Sequence, residues 1–422
     1  MKVFNADLHY HSPQAAGVSK NMSIPLIAEQ AKLKGLHMVV TADITNAKWF
    51  THVKQSLVEE NGCYVAQGTD IAFLVGTEVQ CDRRVHHLTY FPTLEASLEF
   101  KEHFKGKAVM DSFGTGRPVL RSSAEEIALR TREAGGIIGP AHAFTPYFGA
   151  YAKVDSLQQL YGTEWENIHF MELGLSADTA FADLIQENHR YTFLSNSDSH
   201  SPWPHRIGRE FNRMEMKKPN FKEFRKVVEE KEEKHMVLNV GLDPREGKYH
   251  CTACSICYEK YTPEQEKHVK GKCHCGGMIV KGVRDRIQEL ATFTEETHPA
   301  WRPEYVHQLP LAEIIQITLA AQNPLSKKVQ ELWAKFVEAF GTEINALVDA
   351  QEKELREVHA GVAESINAFR EGWVLYLPGG GGSYGTPLLC KSLKEKKEKE
   401  LLYFHELHCI NKNLQQKKLG EF

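Results

Sequence analysis

The strongest constraint on the fold is a regular alternation of strand-like and helix-like segments over residues 1–243. Short apolar or β-branched runs of strand length recur there, and amphipathic stretches such as Ile24–Lys34 and Ser122–Ala134 separate them. Alternation of this kind predicts a parallel α/β sheet or barrel. Because the carboxyl ends of barrel strands meet on one face, we expect the residues at those ends to share one site.

Histidines and carboxylates stand at the ends of most of these predicted strands. In Asp7-Leu8-His9-Tyr10-His11, alternate side chains of an extended strand face the same way. Asn196-Ser197-Asp198-Ser199-His200 repeats the arrangement. Any one of these residues has an ordinary alternative, as a core histidine (His86 or His87) or as a carboxylate paired with a lysine. As a set suited to zinc, manganese or magnesium, they predict a cluster of divalent metals with the ligands His9, His11, Asp43, Glu78, His87, His142, Glu172, Asp198 and His200.

The composition excludes several classes of protein. A chain of 422 residues is too long for one ordinary core, so about two or three domains are expected. The formal net charge of -4 argues against a uniformly basic surface, so any contact with DNA must come from a local basic patch. No apolar run approaches the ~20 residues of a membrane span, and we recognise no signal-peptide segment. We therefore expect a cytoplasmic protein.

Five of the nine cysteines lie between Cys251 and Cys275. Clustered cysteines in a chain of this kind indicate metal binding rather than disulfides. Two cysteine knuckles about 15–20 residues apart are typical of a tetrahedral, structural zinc site. We expect this zinc on four of the five thiolates, with Cys251 as the alternate ligand to the favoured set of Cys254, Cys257, Cys273 and Cys275.

These patterns divide the chain into four parts. The α/β part at 1–243 is followed by a zinc-ribbon module at 244–288, a mainly helical part at 289–390 and a basic tail at 391–422. Between Lys267 and Arg286, six lysines and arginines stand against one aspartate. This local excess predicts a patch that binds DNA phosphates, and a solvated basic surface is the alternative. The expected contacts are Lys281, Arg284 and Arg286.

The strand-end motifs resemble those of the polymerase-and-histidinol-phosphatase (PHP) superfamily. The resemblance implies a distorted (β/α)7 barrel that holds two or three metals, Mg²⁺ or Mn²⁺ with Zn²⁺ as a further option, and hydrolyses phosphoesters with a metal-activated water. It makes Asp198, Glu78 and His142 the catalytic residues, with Glu78 as the candidate bridge. Ile44 departs from the pattern, because the superfamily often has a histidine there. The matching stretches are DLHYHS, TADI at Asp43, GTEV at Glu78, HHL at His87, GPAHAF at His142, MELGLS at Glu172 and SNSDSH at Asp198.

A metal barrel followed by a zinc module and a helical part resembles, more narrowly, the endonuclease Q family. Outside the barrel the resemblance is carried by YHCTACSICY, by CHCGG followed by KGVRDRI, and by PGGGGSYG, and it extends to about Leu389. It implies a nucleoid-associated enzyme that cuts DNA on the 5′ side of uracil, hypoxanthine, xanthine and abasic sites, leaving a 3′-hydroxyl and a 5′-phosphate. The alternatives are a PHP phosphoesterase or 3′-exonuclease of other specificity, and a DNA-binding adaptor without catalysis.

Two short segments carry further hypotheses. In the Gly379–Gly382 run, we expect the backbone of Gly380 and Gly381 to approach a nucleotide closely and Tyr384 to stack on it, with a flexible linker as the alternative. At the end of the chain, Gln416-Lys417-Lys418-Leu419-Gly420-Glu421-Phe422 has the QxxLxxF spacing of sliding-clamp peptides. One helical turn would place its leucine and phenylalanine on one face.

Overall fold

A computed structural model describes residues 1–409, so the clamp-like peptide at Gln416–Phe422 lies outside the described residues. An α/β part with a large buried core is followed by a small cysteine-rich module and a helical part with a core of its own. The predicted α/β class, with a cysteine module and a helical C-terminal region, is thereby confirmed. No helix within this range is long and apolar enough to cross a membrane.

The order of elements along the chain follows the predicted alternation. The strands of residues 1–409 are β1 (Lys2–Asp7), β2 (Met38–Val40), β3 (Leu57–Glu60), β4 (Cys63–Ala66), β5 (Ala72–Gln80), β6 (His86–Phe91), β7 (Ile137–Pro140), β8 (Phe170–Glu172), β9 (Thr192–Leu194), β10 (Phe211–Met216), β11 (Met236–Gly241), β12 (Ala253–Cys254), β13 (Ile279–Val280), β14 (Glu304–His307), β15 (Val374–Leu377) and β16 (Thr386–Leu389). The α-helices are α1 (Ile24–Lys34), α2 (Ala47–Ser56), α3 (Leu94–His103), α4 (Ala124–Glu133), α5 (Leu157–Tyr161), α6 (Thr179–Ala182), α7 (Phe221–Glu229), α8 (Pro263–Val269), α9 (Val283–Leu290), α10 (Leu311–Thr318), α11 (Lys327–Phe340), α12 (Glu352–Arg370), α13 (Leu393–Leu402) and α14 (Phe404–Leu407).

Seven strands of the α/β part succeed one another around a ring. β1 pairs in parallel with β2 and β2 with β5, β6 is antiparallel to both β5 and β7, and β8 is parallel to β9. Two backbone hydrogen bonds span the gaps between these ladders. Ala143 N donates to Glu172 O at 2.8 Å between β7 and β8, and Ser199 N donates to His9 O at 3.1 Å between β9 and β1. This ring agrees with the predicted distorted barrel, and the reversed β6 places its first residues beside the carboxyl ends of its neighbours.

The barrel sheet extends beyond the predicted boundary of the α/β part. β10 pairs with β1, β11 with β10, and β14 in parallel with β11. β14 comes from the segment assigned by sequence to the helical part. The segment before it is held by Arg302, whose NH2 lies 2.7 Å from Oδ1 of the buried Asp183. The structure therefore places residues 291–307 on the barrel, and the helical core begins near Leu309.

The helical part packs α10, α11 and α12 around its own core and ends in a hairpin of β15 and β16. The glycine-rich run forms the turn of this hairpin. The first helix of the basic tail, α13, lies against the hairpin region, because Lys396 Nζ donates to Gly372 O at 2.8 Å and Lys399 Nζ to Leu389 O at 3.1 Å.

One buried ion pair joins the helical part to the barrel. At the end of α1, Lys34 Nζ lies 2.7 Å from Glu343 Oε1 and donates to Pro204 O at 2.8 Å. Glu343 Oε2 accepts from Trp333 Nε1 at 2.7 Å. The Lys34 and Glu343 side chains are 1% and 0% exposed, so these polar neighbours replace water around both charges.

We expect Lys34→Met to lower the free energy of unfolding by about 3–5 kcal/mol, because it leaves the Glu343 carboxylate buried without its counter-ion. Urea unfolding followed by circular dichroism measures the change. Lys327→Met is the matched control, since its partner Glu331 lies 3.7 Å away in an exposed pair that should contribute little. Equal stability of the two variants would contradict the prediction.

Candidate active site

The turns after β1 and β9 bring together the two histidine-and-aspartate motifs. His9 Nε2 lies 3.6 Å from Asp198 Oδ1, and His11 Nε2 lies 3.3 Å from the same oxygen. These three atoms are buried, lie within 4.8 Å of one another and have no hydrogen-bond partner in the described residues. Buried ligand atoms without partners are costly unless a cation occupies the space between them. His9, His11 and Asp198 therefore form the first candidate metal site.

A second candidate site lies beside the first. Glu78, at the end of β5, places Oε1 2.9 Å from His86 Nδ1 and 3.0 Å from His142 Nε2. Its other oxygen, Oε2, lies 3.3 Å from His11 Nε2. One carboxylate thus touches ligand atoms of both sites, as a bridging ligand between two metals must.

His86, and not the predicted ligand His87, reaches this cluster. Because β6 is antiparallel to β5, its first residues lie beside the carboxyl end of β5. Successive side chains of a strand point to opposite faces, so His86 faces Glu78 while the neighbouring ring turns away. His87 Nδ1 is hydrogen-bonded to Tyr161 OH at 2.7 Å, and burial lowers the pKa of His87 to about 3. Nε2 of His87 is buried without a hydrogen-bond partner among the described residues, but it lies outside both candidate ligand groups, so we assign the predicted place of His87 in the ligand set to His86.

Two predicted ligands lie behind the histidines instead of between them. Both oxygens of Glu172 lie 3.0 Å from His9 Nδ1, and Asp43 Oδ1 lies 3.2 Å from His11 Nδ1. Glu172 also accepts from His142 N at 2.7 Å. A carboxylate on Nδ1 fixes the ring and directs Nε2 toward the metal position. The structure therefore gives Glu172 and Asp43 an orienting role in place of the predicted coordination.

Asp7 and His200 belong to the same two motifs but occupy different places in the site. Asp7 accepts from Ser197 N at 3.0 Å and from Gly208 N at 2.7 Å, so it fixes the turn that carries Asp198. His200 lies at the rim, with its side chain 40% exposed and its ring centroid 4.8 Å from that of His11. Its Nδ1 lies 3.7 Å from Asp198 Oδ1, beside the first candidate metal site, so His200 stays a predicted ligand.

Three residues of the site have backbone conformations that side chains with a Cβ rarely adopt. The φ angles are 34° at Asp43, 30° at His142 and 46° at Asp198. Such conformations cost free energy and persist where the surrounding contacts impose them. Here the hydrogen bonds made by Glu172 and Asp7 impose them on the turns after β7 and β9.

The charges of the cluster favour bound cations. Burial alone would lower the pKa of His9, but the carboxylates of Glu172 and Asp198 raise it to about 9. Burial likewise opposes ionisation of Glu78, yet the adjacent His86 and His11 hold its pKa well below the usual range. The ionised carboxylates and the protonated His9 thus stabilise one another, and a divalent cation that displaced the His9 proton would serve the same carboxylates.

The cluster opens into a cavity of about 390 Å³. Arg117 NH1 enters it and lies 3.1 Å from Glu78 Oε2. Arg209, also at the cavity, donates from Nε and NH2 to Ser197 O at 3.0 and 2.8 Å. Tyr147 and Tyr384 line the mouth and are 46% and 59% exposed. Neither arginine nor Tyr147 could be predicted from the sequence, because they lie on loops outside any recognised motif.

The cysteine module forms a compact site of four sulfurs. Cys254 and Cys275 Sγ are 3.4 Å apart, Cys257 and Cys273 Sγ are 3.5 Å apart, and all four lie within 4.8 Å of one another. A tetrahedral zinc with Zn–S distances of about 2.3 Å separates its sulfurs by about 3.8 Å. Ile256 N also donates to Cys254 Sγ at 3.4 Å, as in zinc knuckles. The favoured set of four cysteines therefore fits a closed zinc site.

The alternate cysteine and the glycine run belong to the packing around this module. Cys251 lies outside the group of four and forms a disulfide with Cys409. A Cβ on Gly380 would lie 2.9 Å from Ala253 Cβ, and one on Gly381, where φ is 65°, would overlap Cys254 O. The glycines let the hairpin turn approach the cysteine module. Of Gly380, Gly381 and Tyr384, which were predicted to contact a nucleotide, Tyr384 alone lines the cavity.

The three expected phosphate contacts of the predicted basic patch are engaged within the protein, whereas the lysines at positions 267, 270 and 272 are exposed. Lys281 pairs with Glu289, and Arg284 NH2 lies 2.7 Å from Asp285 Oδ1. Arg286 donates to Tyr151 O at 2.8 Å, which ties α9 to the barrel. These contacts give the arginines structural roles and leave Lys281, 45% exposed, as the most accessible of the three cations.

Comparison with known proteins places this architecture in a family. A family model described as the MJ0043 C-terminal domain matches residues 310–373. The chain is 43% identical over 256 residues to the uncharacterized protein MJ0043 of Methanocaldococcus jannaschii, a match that covers 59% of this chain and 32% of that protein. The chain therefore spans about a third of the length of that relative.

Solved structures cover nearly the whole chain. The lesion-specific endonuclease PfuEndoQ from Pyrococcus furiosus is 46% identical with a TM-score of 0.87, over 95% of this chain and 99% of that one. The chain belongs to the endonuclease Q family. A second endonuclease Q structure, a complex with a 27-mer duplex substrate that has an abasic lesion at the active site, is also 46% identical with a TM-score of 0.87, over 92% and 97% of the two chains. The family resemblance carried by the motifs is thus confirmed.

We expect His86→Ala to remove metal from the barrel and His87→Ala to retain it. His86 faces the candidate ligand cluster, whereas His87 faces Tyr161 on the other side of β6. Metal analysis of dialysed, folded protein measures the stoichiometry, and loss of a ligand should weaken metal binding by at least about 10–100-fold. Metal loss in His87→Ala alone would instead support the original assignment.

Cys257→Ser should lower the zinc content of this endonuclease Q family member by one equivalent per chain, because three thiolates cannot complete the tetrahedral site. Metal in the barrel should stay unchanged. Cys63→Ser is the control, since this buried cysteine lies in β4, outside the group of four. A full zinc complement in Cys257→Ser would exclude the four-cysteine assignment.

Proposed function

We propose that this chain is a metal-dependent endonuclease of DNA repair that hydrolyses the phosphodiester on the 5′ side of uracil, hypoxanthine, xanthine and abasic sites. The proposal rests on two observations. Buried ligand atoms of His9, His11 and Asp198 converge without hydrogen-bond partners at an open cavity, and the chain belongs to the endonuclease Q family. A family member has been seen with a lesion-containing duplex at its active site. The products would be a 3′-hydroxyl and a 5′-phosphate.

The residues present fit at least two divalent cations. His9, His11 and Asp198 would hold one, and Glu78, His86 and His142 a second. Bound ions of this kind supply an acidified water nucleophile and neutralise charge on the phosphate. We propose Mg²⁺ or Mn²⁺ here, with Zn²⁺ as the alternative, because the mixed imidazole and carboxylate set accepts all three. We assign Zn²⁺ to the four cysteines.

The side chains around these positions orient the ligands and bind the substrate. Glu172 accepts the Nδ1–H of His9 and directs Nε2 into the cavity, where a bound cation would take the place of the Nε2 proton. Arg117, beside Glu78, offers a guanidinium to a phosphate oxygen at the reacting position. Arg209 keeps the turn of Asp198 in place through Ser197 O. These contacts pre-organise charge where the phosphate must bind.

Base recognition requires that the damaged nucleotide leave the duplex stack. Deaminated or mispaired bases leave it at lower cost than intact pairs, and an abasic site has no base to unstack. Tyr147 and Tyr384 expose their rings at the cavity mouth and can stack on an extruded nucleotide. Lys248 Nζ lies 6.0 Å from the Tyr384 ring centroid and adds positive charge beside it.

Two further proposals concern the setting of the enzyme. A DNA-repair activity implies association with the nucleoid. The sliding-clamp hypothesis for Gln416–Phe422 concerns residues outside those that the structure describes, and it stays a prediction from the spacing alone.

End-labelled duplexes with one uracil, one hypoxanthine, one abasic site or no lesion, incubated with Mg²⁺ or Mn²⁺, test the proposal. We expect one incision on the 5′ side of each lesion and none in intact DNA. Asp198→Asn should lower the rate by more than about 100-fold, because it removes a metal ligand. Asp70→Asn, at an exposed aspartate away from the cavity, is the matched control.

The other outcomes identify the alternatives. Laddering from a DNA end would indicate an exonuclease of other specificity. Tight binding to lesion DNA without cleavage by any tested metal would indicate an adaptor. Full activity in rigorously purified Asp198→Asn would overturn the assignment of the site.

A further inference from the structure

The loop between α3 and α4 carries an exposed aromatic side chain at its tip. Phe113 is 77% exposed, the largest value for an aromatic residue among those at positions 1–409. It lies in Asp111-Ser112-Phe113-Gly114-Thr115, where the flanking residues are small or polar. An isolated exposed apolar residue needs no explanation by itself. Phe113 differs because its loop is hydrogen-bonded to the barrel and leads directly into the active site.

The tip is fixed to the barrel by several hydrogen bonds. Asn46 Nδ2 donates to Met110 O at 2.9 Å, just before the tip. After the tip, Gly114 N and Gly116 N both donate to Gln14 O, at 2.7 and 3.1 Å. The loop is therefore held on both sides of Phe113, and presenting this ring to a partner requires little further ordering of the backbone.

The same loop enters the active site four residues later. Gly116 packs so closely on Asp43 that a Cβ would overlap the carboxylate, and Arg117 NH1 lies 3.1 Å from Glu78 Oε2. Four residues span at most about 14 Å, so Phe113 lies within a few base steps of the reacting phosphate. Phe113 does not line the catalytic cavity, unlike Tyr147 and Tyr384. Its ring is available to the duplex beside the site and not to the extruded nucleotide.

The charge around the tip is compatible with DNA. The only carboxylate in the tip, Asp111, is neutralised by Lys101, whose Nζ lies 2.6 Å from Oδ1. The same Oδ1 accepts from Ala47 N at 2.8 Å, which directs it toward α2. A phosphate backbone can therefore approach Phe113 without facing an unpaired negative charge.

We propose that Phe113 is a wedge that inserts into the base stack of duplex DNA beside the extruded lesion nucleotide. This inference rests on the proposed function, since it requires a duplex substrate whose target nucleotide leaves the helix. Extrusion leaves a gap between neighbouring bases, and an apolar or aromatic side chain that enters the gap offsets the lost stacking. Phe113 is thus a positioning residue that favours the extruded state, and it takes no part in the hydrolysis.

If Phe113 acts as a wedge, replacing it should slow the incision of duplex DNA more than the incision of single-stranded DNA. Phe113→Ala should lower incision of a uracil-containing duplex by about ten- to a hundredfold, which is the loss of one base–aromatic stack. Incision of the same uracil in single-stranded DNA should change by less than about threefold, because little unstacking is required there. Phe113→Trp, which keeps an aromatic ring at this position, should incise the duplex as the wild type does. Val109→Ala, at a 62% exposed position of the same loop, is the matched control.

Fluorescence of 2-aminopurine placed opposite the lesion measures unstacking independently of cleavage. In an Asp198→Asn background, binding should brighten the probe, and adding Phe113→Ala should remove most of the increase while Val109→Ala leaves it. Equal brightening in both variants, or equal loss of duplex and single-strand incision in Phe113→Ala, would overturn the wedge.

The proposed function and the wedge fail in different ways. A wild-type protein that brightens the probe through Phe113 but never incises would support the wedge and overturn the endonuclease assignment. A wild-type protein that incises duplexes as fast as Phe113→Ala would leave the endonuclease in place and exclude the wedge.

Discussion

The mutual stabilisation of buried carboxylates and histidines at one end of the barrel is the interaction on which the rest of the structure depends. His86 and His11 hold the pKa of the buried Glu78 well below its usual range, and His9 and His11 do the same for the partly exposed Asp198. The backbone around them is strained, with positive φ at three non-glycine residues of the site. Such an arrangement is costly as a scaffold and is useful only for binding cations and the phosphate they neutralise.

Hydrogen bonds from neighbouring side chains fix the turns that carry the ligands at that end of the barrel. Glu172 and Asp7 each accept from the backbone of a strained turn, and they come from β8 and β1, the strands on either side of β9. Arg209 holds the second turn from the loop before β10. The ligands are thereby fixed before any substrate binds, which is how a pre-organised site avoids reorganisation during the reaction.

The hairpin and the start of the cysteine-rich segment line one side of the cavity with Lys248, Tyr249 and Tyr384. The hairpin turn packs its glycines on the cysteine module and presents Tyr384 to the cavity. The helical part is joined to the barrel by the buried pair of Lys34 and Glu343. The loop with Phe113 and Arg117 lies beside Asp43 and Glu78. A site for hydrolysis is thus surrounded by surfaces of the kind that bind a nucleic acid.

The sequence by itself determined the alternating α/β pattern, the clustering of ligand-type residues at strand ends and a zinc site on four of five clustered cysteines. These follow from local periodicity and short spacings, which a chain carries wherever it folds. Tertiary structure alone decided that His86 replaces His87, because the register of β6 against β5 pairs Glu78 with Leu88 and so puts His86, and not His87, on the face of Glu78. It also decided that Glu172 and Asp43 stand behind the histidines, and that the glycines serve packing. Those assignments depend on which groups meet across the ring, and strand direction and long-range contact are not encoded in any local pattern.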